Sequence, residues 1–447
     1  MKCDRCESEA TIHITEIRRG LSHFKHLCEA CASRFEPEEG RDGRSDPHPW
    51  ETDDELEMTG EREHVLVADL ATGAVESPGM PSGNQFSPVW SPDGRRLALC
   101  HSANLSPSTV LVEPGTRGFR RCTHTTYGEP ASWSRDSRRI VLSHIDDGAC
   151  VAIAEADGDL LYHLDSPEDV GDHHPAWSPI DERIAVVAMR LDVDEDEPER
   201  CSVVTTPAEG GARRTLARFE ETFLTRLRWS PDAKHLAGHA IPAARKESED
   251  LANEAPAQGL RVMRADVEDA LPQRVCPLPI SWAWLPRVRG FSDTPVLGVM
   301  DLPGRGPRTR HFLYDPRKGR RLDLGKGVDF AGGAVHPGLV SPDGKELAVI
   351  AASDSRRVIL IEPSSGERRP LDAAGEACWL GWVPNSDDLA LLVEDDESIR
   401  LDIAAASGAR RTVVCFDRRE YSGSSCVALS PDGKRAAIEL HSQQKKE

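Results

Sequence analysis

Trp90-Ser91-Pro92-Asp93-Gly94, followed by Leu97-Ala98-Leu99, is one copy of a phrase that returns along most of the chain. It reads Trp133-Ser134-Arg135-Asp136 with Ile140-Val141-Leu142, Trp177-Ser178-Pro179 with Ile184-Ala185-Val186, and Trp229-Ser230-Pro231-Asp232 with Leu236-Ala237. Partial copies stand at Trp284-Leu285-Pro286, Val340-Ser341-Pro342-Asp343-Gly344, Trp382-Val383-Pro384 and Leu429-Ser430-Pro431-Asp432-Gly433. Successive anchors lie 43, 44, 52, 55, 56, 42 and 47 residues apart. A repeat of this length with several short strands per unit is the signature of a β-propeller blade.

The phrase has a mechanical reading. Pro presets φ at the second position of a type I turn, Asp suits the third, and Gly accepts the positive φ at the exit. The anchor residue before the turn and the apolar run after it then belong to two antiparallel strands, with the indole wedged against the neighbouring blade. Runs such as Thr109-Val110-Leu111-Val112 and Phe119-Arg120-Arg121-Cys122 add a third and a fourth strand. His64-Val65-Leu66-Val67-Ala68-Asp69-Leu70 and Ala74-Val75-Glu76 read as strands three and four of a unit without its first two, and the run from Cys426 to Glu439 as the missing pair. Joining the two ends removes the exposed strand edges and closes the ring. Eight phrases give eight blades, or seven if the region around Trp284 folds irregularly.

Residues 62–441 therefore resemble the repeats of the TolB-like propellers and of the non-catalytic domains of prolyl-oligopeptidase-type enzymes, whose blades carry this phrase. The resemblance implies an all-β ring and is nearly silent on activity, because propellers host unrelated functions.

A second signal lies at the N-terminus, where Cys3-x2-Cys6 is followed by Cys28-x2-Cys31. Two such knuckles complete the closed tetrahedron of one structural Zn²⁺. Between them, Thr11-Ile12-His13-Ile14-Thr15-Glu16-Ile17 alternates apolar and polar, Arg18-Arg19-Gly20 turns, and His23-Phe24-Lys25-His26-Leu27 returns. A ribbon this small folds on metal, which supplies on the order of 10 kcal/mol. His13-Ile14-Thr15-Glu16-Ile17 and Leu27-Cys28-Glu29-Ala30-Cys31-Ala32 closely resemble the zinc-binding segment of the McsA family, bacterial activators of protein-arginine kinase. The metal role carries over to Cys3, Cys6, Cys28 and Cys31, but kinase activation does not, because the chain continues differently. Residues 36–63 hold twelve Asp or Glu against three Arg and lack apolar periodicity, so 34–61 is expected to be a disordered acidic linker. The expected organisation is a ribbon over 1–33, that linker, a ring over 62–441 and a polar tail over 442–447.

No signal-peptide core and no long apolar run occurs, so a cytoplasmic chain that engages no membrane is expected. Of the twelve cysteines, Cys100, Cys150, Cys201, Cys378 and Cys426 sit singly among strand-like residues and read as reduced thiols. A net charge of -20 argues against binding to nucleic acid.

If the phrase joins strands one and two, the entries to first strands and the loops between second and third strands share the opposite face. That face gathers Asp172, His173, His174, His336, Glu129, Asn84 and Gln85, with insertions at Asp192-Val193-Asp194-Glu195-Asp196-Glu197 and over 245–259. Loops on a rigid ring commonly carry function. We read Asp172, His173, His174, Asp192, Asp194, Glu195, Asp196, Glu197 and His336 as a candidate docking face for a protein partner of a monomeric ring. Neither Gly-x-Ser-x-Gly nor a phosphate-binding glycine loop is present, and Gly423-Ser424-Ser425-Cys426-Val427 lacks the last Gly. The sequence thus points to a non-catalytic adaptor rather than an enzyme. The alternative is a propeller lyase or hydrolase that uses channel-mouth His and carboxylate groups.

Overall fold

The computed structural model describes residues 12–18, 21–27 and 61–443, apart from 81–82, 104–105, 117, 125–131, 145–149, 158–159, 191–199, 221, 243–257, 278, 293, 302–309, 326–327, 330–334, 352–356, 372–375 and 406–408. Strands Ile12–Arg18 and Leu21–Leu27 pair antiparallel, with Ile12 opposite Leu27 and Arg18 opposite Leu21. In sequence, this hairpin lies between Cys6 and Cys28. The four cysteines, and most of the expected linker, lie outside the described residues.

The ring is all β and has eight blades, each a four-stranded sheet, seven of them antiparallel with their strands in sequential order. Blade 1 runs from Asn84 to His124, blade 2 from Ser132 to His163, blade 3 from Val170 to Glu220 and blade 4 from Thr222 to Cys276. Blade 5 runs from Pro279 to Asp323, blade 6 from Val328 to Leu371 and blade 7 from Glu376 to Asp417. The region around Trp284 is regular, which excludes seven blades. In blade 8, strands Tyr421–Leu429 and Arg435–Gln443 are followed in the sheet by Glu61–Asp69 and Val75–Glu76. Apolar side chains of both chain ends share one core, in which Val65 and Val67 pack with Ala437, Trp90, Leu97 and Val110.

The phrase forms the same small cage five times. The Ser91 hydroxyl lies 2.6 Å from Asp93 Oδ1, its oxygen accepts the Arg96 N–H at 2.9 Å, and Asp93 Oδ1 accepts the Arg95 N–H at 3.0 Å. Ser134 with Asp136, Ser230 with Asp232, Ser341 with Asp343 and Ser430 with Asp432 repeat the contact at 2.6–2.8 Å. The exit residue is left-handed throughout, at φ 70° for Gly94, 76° for Gly344 and 72° for Gly433, and also at φ 62° for Ser137 and 51° for Ala233. Ser137 has a reason to stand where Gly would be easier, since its Oγ accepts the Asp93 N–H of the preceding blade at 3.0 Å.

The anchors are core, with Trp90, Trp133, Trp177, Trp229, Trp284 and Trp382 all between 4% and 8% exposed. Four of them also stitch blades together. The indole N–H of Trp90 donates to Ala428 O at 2.8 Å, Trp133 to Val89 O at 3.2 Å, Trp229 to Ala176 O at 2.9 Å and Trp284 to Arg228 O at 3.1 Å. Each acceptor sits one residue before the preceding blade's own anchor, so one geometry is handed from blade to blade. Cys100 and Cys201 are buried, and Cys378 and Cys426 are half-buried. No helix among the described residues is long and apolar enough to cross a membrane.

Candidate functional site

First strands of successive blades touch one another, as in blades 3 and 4 and in blades 8 and 1, so they form the inner wall of the ring. In three blades the first-strand ladder slips at the same place. The register shifts between Phe86 and Val89 in blade 1, between His173 and Ala176 in blade 3, and between Thr225 and Arg228 in blade 4. The residue three before the tryptophan is left-handed each time: Ser87 at φ 54°, His174 at 49° and Arg226 at 55°. Left-handed backbone costs a non-glycine residue about 1 kcal/mol or more and persists where the surroundings dictate it. Such bulges re-aim a side chain and are common beside active sites. Here they set a hydroxyl, an imidazole and a guanidinium at one level of the inner wall.

Around the second and third of these bulges the side chains converge. The Phe223 ring stands 6.2 Å from His173 and 5.7 Å from His174, and the two imidazoles are 6.5 Å apart. Further along the strand that carries Phe223, Arg226 and Arg228 are exposed. Burial, and then the charge of Arg226, nevertheless lower the pKa of Arg228. Both arginines stand on the first strand of blade 4, Thr222–Trp229, which lines the ring. Among the described residues neither guanidinium has a carboxylate partner. Behind them, His239 is half-buried with its Nε2 unpartnered, and burial followed by the Arg226 charge lowers its pKa. The arrangement offers two fixed positive charges beside imidazoles that can carry protons.

The other expected face residues are placed as follows. Asp172 is 1% exposed, and its two oxygens take Arg213 Nη1 and Nη2 at 2.7 Å each, while Ser166 donates to the same carboxylate. That carboxylate secures the start of blade 3. His336 stacks on Trp379 at 5.1 Å and donates Nε2–H to Leu380 O at 2.8 Å. Burial holds its pKa down at about 4, against the opposing pull of that hydrogen bond. Asn84 and Gln85 accept the Glu63 and Val65 N–H groups at 3.4 and 3.2 Å, covering a strand edge of blade 8. Glu129 and the loop with Asp192, Asp194, Glu195, Asp196 and Glu197 lie outside the described residues. Of the expected set, the structure brings together His173 and His174.

Arg226, Arg228 and Phe223 were not singled out from sequence. A signal existed for the bulges: Pro88 and Pro175 stand two before the anchor, where a strand residue without an N–H can sit only at an edge or a bulge. Blade 4 has Leu227 there and gives no such sign.

No protein-family model matches the sequence, and no curated protein sequence matches it. Solved structures do. A TolB protein from Agrobacterium tumefaciens is 12% identical, with a TM-score of 0.35, covering 85% of this chain and 98% of that one. A puromycin hydrolase is 16% identical, with a TM-score of 0.49, covering 84% of this chain and 62% of that one. An oligogalacturonate lyase from Vibrio parahaemolyticus is 9% identical, with a TM-score of 0.46, covering 86% of this chain and 98% of that one. The expectation that the chain is not an enzyme is corrected by this set, in which a hydrolase and a lyase stand beside TolB. The missing nucleophile elbow excluded one catalytic design and left a propeller's own inner wall open.

Proposed function

We propose that the ring is an enzyme of the lyase or hydrolase class that takes an anionic substrate into its channel. The observation that carries this reading is the pair Arg226 and Arg228, two guanidinium groups on an inner strand without a carboxylate partner among the described residues. In a chain of net charge -20, two neighbouring guanidinium groups on the inner wall, with no counter-charge among the described residues, select a ligand of opposite sign. His173 and His174 stand beside it as proton donor and acceptor, the role that imidazole fills most often near neutral pH. Phe223 supplies the flat apolar wall that a substrate ring would meet.

The test uses the full chain with polyuronides, carboxylate-bearing aryl esters and acidic peptidyl anilides, following unsaturated product or released leaving group. Turnover is expected with at least one class, with Arg228→Ala raising KM and His174→Ala lowering kcat. Saturable binding without turnover across the panel would overturn the enzymatic reading. Turnover indifferent to removal of both arginines would overturn the site.

At the N-terminus we propose that Cys3, Cys6, Cys28 and Cys31 hold one structural Zn²⁺. Cysteine spacing supports this, together with a hairpin whose register sets Ile12 beside Leu27. One zinc per chain, lost in Cys28→Ser with the ring still folded, is expected. Retention of stoichiometric zinc by that variant would refute it.

A further inference from the structure

Blade 8 joins the two ends of the chain, and its strands Glu61–Asp69 and Arg435–Gln443 bring Glu63, Glu439 and His441 together. One ligand atom from each lies within 4.8 Å of the others. The site is sheltered, since Glu439 is 6% exposed and the other two are half-buried. Glu439 is also held in place. Its Oε2 accepts the Ser87 N–H at 3.0 Å and a 3.4 Å contact from the Cys426 thiol. The Ser87 N–H is turned there by the left-handed bulge of blade 1, so the backbone of one blade aims a carboxylate of the next. Nearby, His64 Nε2 meets Ser442 Oγ at 2.7 Å, and that imidazole is thereby occupied with the strand pairing.

We propose that Glu63, Glu439 and His441 bind one divalent cation that fastens the N-terminal strand of the ring to its C-terminal strand. Two carboxylates in a sheltered place repel each other, and a cation between them converts that repulsion into a bridge. Two carboxylate oxygens with one imidazole nitrogen suit Mn²⁺ and comparable oxygen-seeking ions, whereas four thiolates suit Zn²⁺. The ligands come from positions 63 and 439–441, so the ion would close nearly the whole ring as a loop. This site lies in blade 8 and does not depend on the proposed activity at blades 3 and 4.

The experiment uses the full chain, stripped of metal and titrated with Mn²⁺ alone. Bound Mn²⁺ is counted by electron paramagnetic resonance, and thermal unfolding is followed in parallel. Because an ion that binds only the folded ring stabilises it by mass action, Mn²⁺ is expected to raise the melting temperature. Glu63→Gln and His441→Gln, which keep polar side chains of similar size, should each weaken binding at least tenfold and remove the shift. Cys28→Ser should keep both. The proposal is overturned if wild type binds no Mn²⁺, or if the two blade 8 variants bind it and are stabilised by it as wild type is. A response lost only in Cys28→Ser would place the ion at the cysteines instead and overturn it equally.

Discussion

Removing one hydroxyl from the turn cage tests whether the repeated phrase works as the geometry implies. Ser91 is fully buried, and its oxygen is the acceptor for the Arg96 N–H at 2.9 Å while its proton faces Asp93 Oδ1 at 2.6 Å. Ser91→Ala leaves the backbone bonds of the turn in place, because Ser91 N–H still reaches Arg96 O and Gly94 N–H still reaches Ser91 O, both at 2.8 Å. What is lost is one bond to a charged group and one acceptor for a half-buried N–H. Together these cost about 2–3 kcal/mol. Blade 3 supplies the control. There the carboxylate has moved one residue on, to Asp181, which still takes a hydrogen bond from Ser178, while Ile180 N–H reaches Ser178 Oγ at 3.5 Å. That is too long for a normal N–H···O bond, so Ser178→Ala gives up the contact with Asp181 but no good backbone acceptor, and should cost about 1–2 kcal/mol. The assay is urea unfolding followed by tryptophan fluorescence, with nine tryptophans as reporters. The midpoint should fall further in Ser91→Ala than in Ser178→Ala, by the loss of one backbone acceptor, with unchanged slope. Equal losses would refute the cage as the source of stability and leave only burial of the serine.

A second contrast concerns the indoles: Trp229→Phe deletes the donor to Ala176 O at 2.9 Å and should cost about 1–3 kcal/mol beyond the change in volume. Trp382 Nε1 is buried without an acceptor, so Trp382→Phe removes an unsatisfied donor, and calorimetric melting should show it to be the milder change. A third prediction is acid sensitivity at His336, whose pKa is lowered to about 4 by burial while an unfolded histidine titrates near 6.5. Between those values the unfolded chain binds the proton and the folded ring does not, so stability falls as pH drops from about 6.5 towards 4. His336→Gln should flatten that slope by on the order of 2 kcal/mol in unfolding free energy measured across the window, and an unchanged slope would count against the neutral imidazole held to Leu380 O.

The phrase could be read from sequence because everything that makes it work is local. Ser, Asp and the left-handed exit residue lie within a few positions of one another, and the anchor precedes them directly, so a short window holds the whole device. Even there, the reading gave the Asp and the Gly their reasons and missed the serine. Its hydroxyl acts on the N–H five residues on, which is outside the turn as usually drawn. The bulges were less legible for a related cause. Ser87, His174 and Arg226 share a backbone conformation but no side-chain chemistry, and what fixes them is the second strand opposite, where two residues face one. Pro88 and Pro175 hinted at the slip, but the same slip in blade 4 is held with Leu227 and leaves no mark in composition. The inner-wall arginines illustrate the limit further. In a window of sequence, Arg226 and Arg228 alternate with Leu227 and Trp229 as on any half-buried strand. Only ring closure turns that polar side inward and sets two ordinary surface charges side by side on the inner wall. The Glu63 and Glu439 carboxylates obey the same logic at the greatest sequence distance the ring allows. Each is unremarkable in its own strand, and they become a pair because strands from the two chain ends share one sheet. Chemistry that depends on closure is therefore the part of this protein that a linear reading reaches last, and substitutions at those residues, rather than in the phrase, separate function from folding.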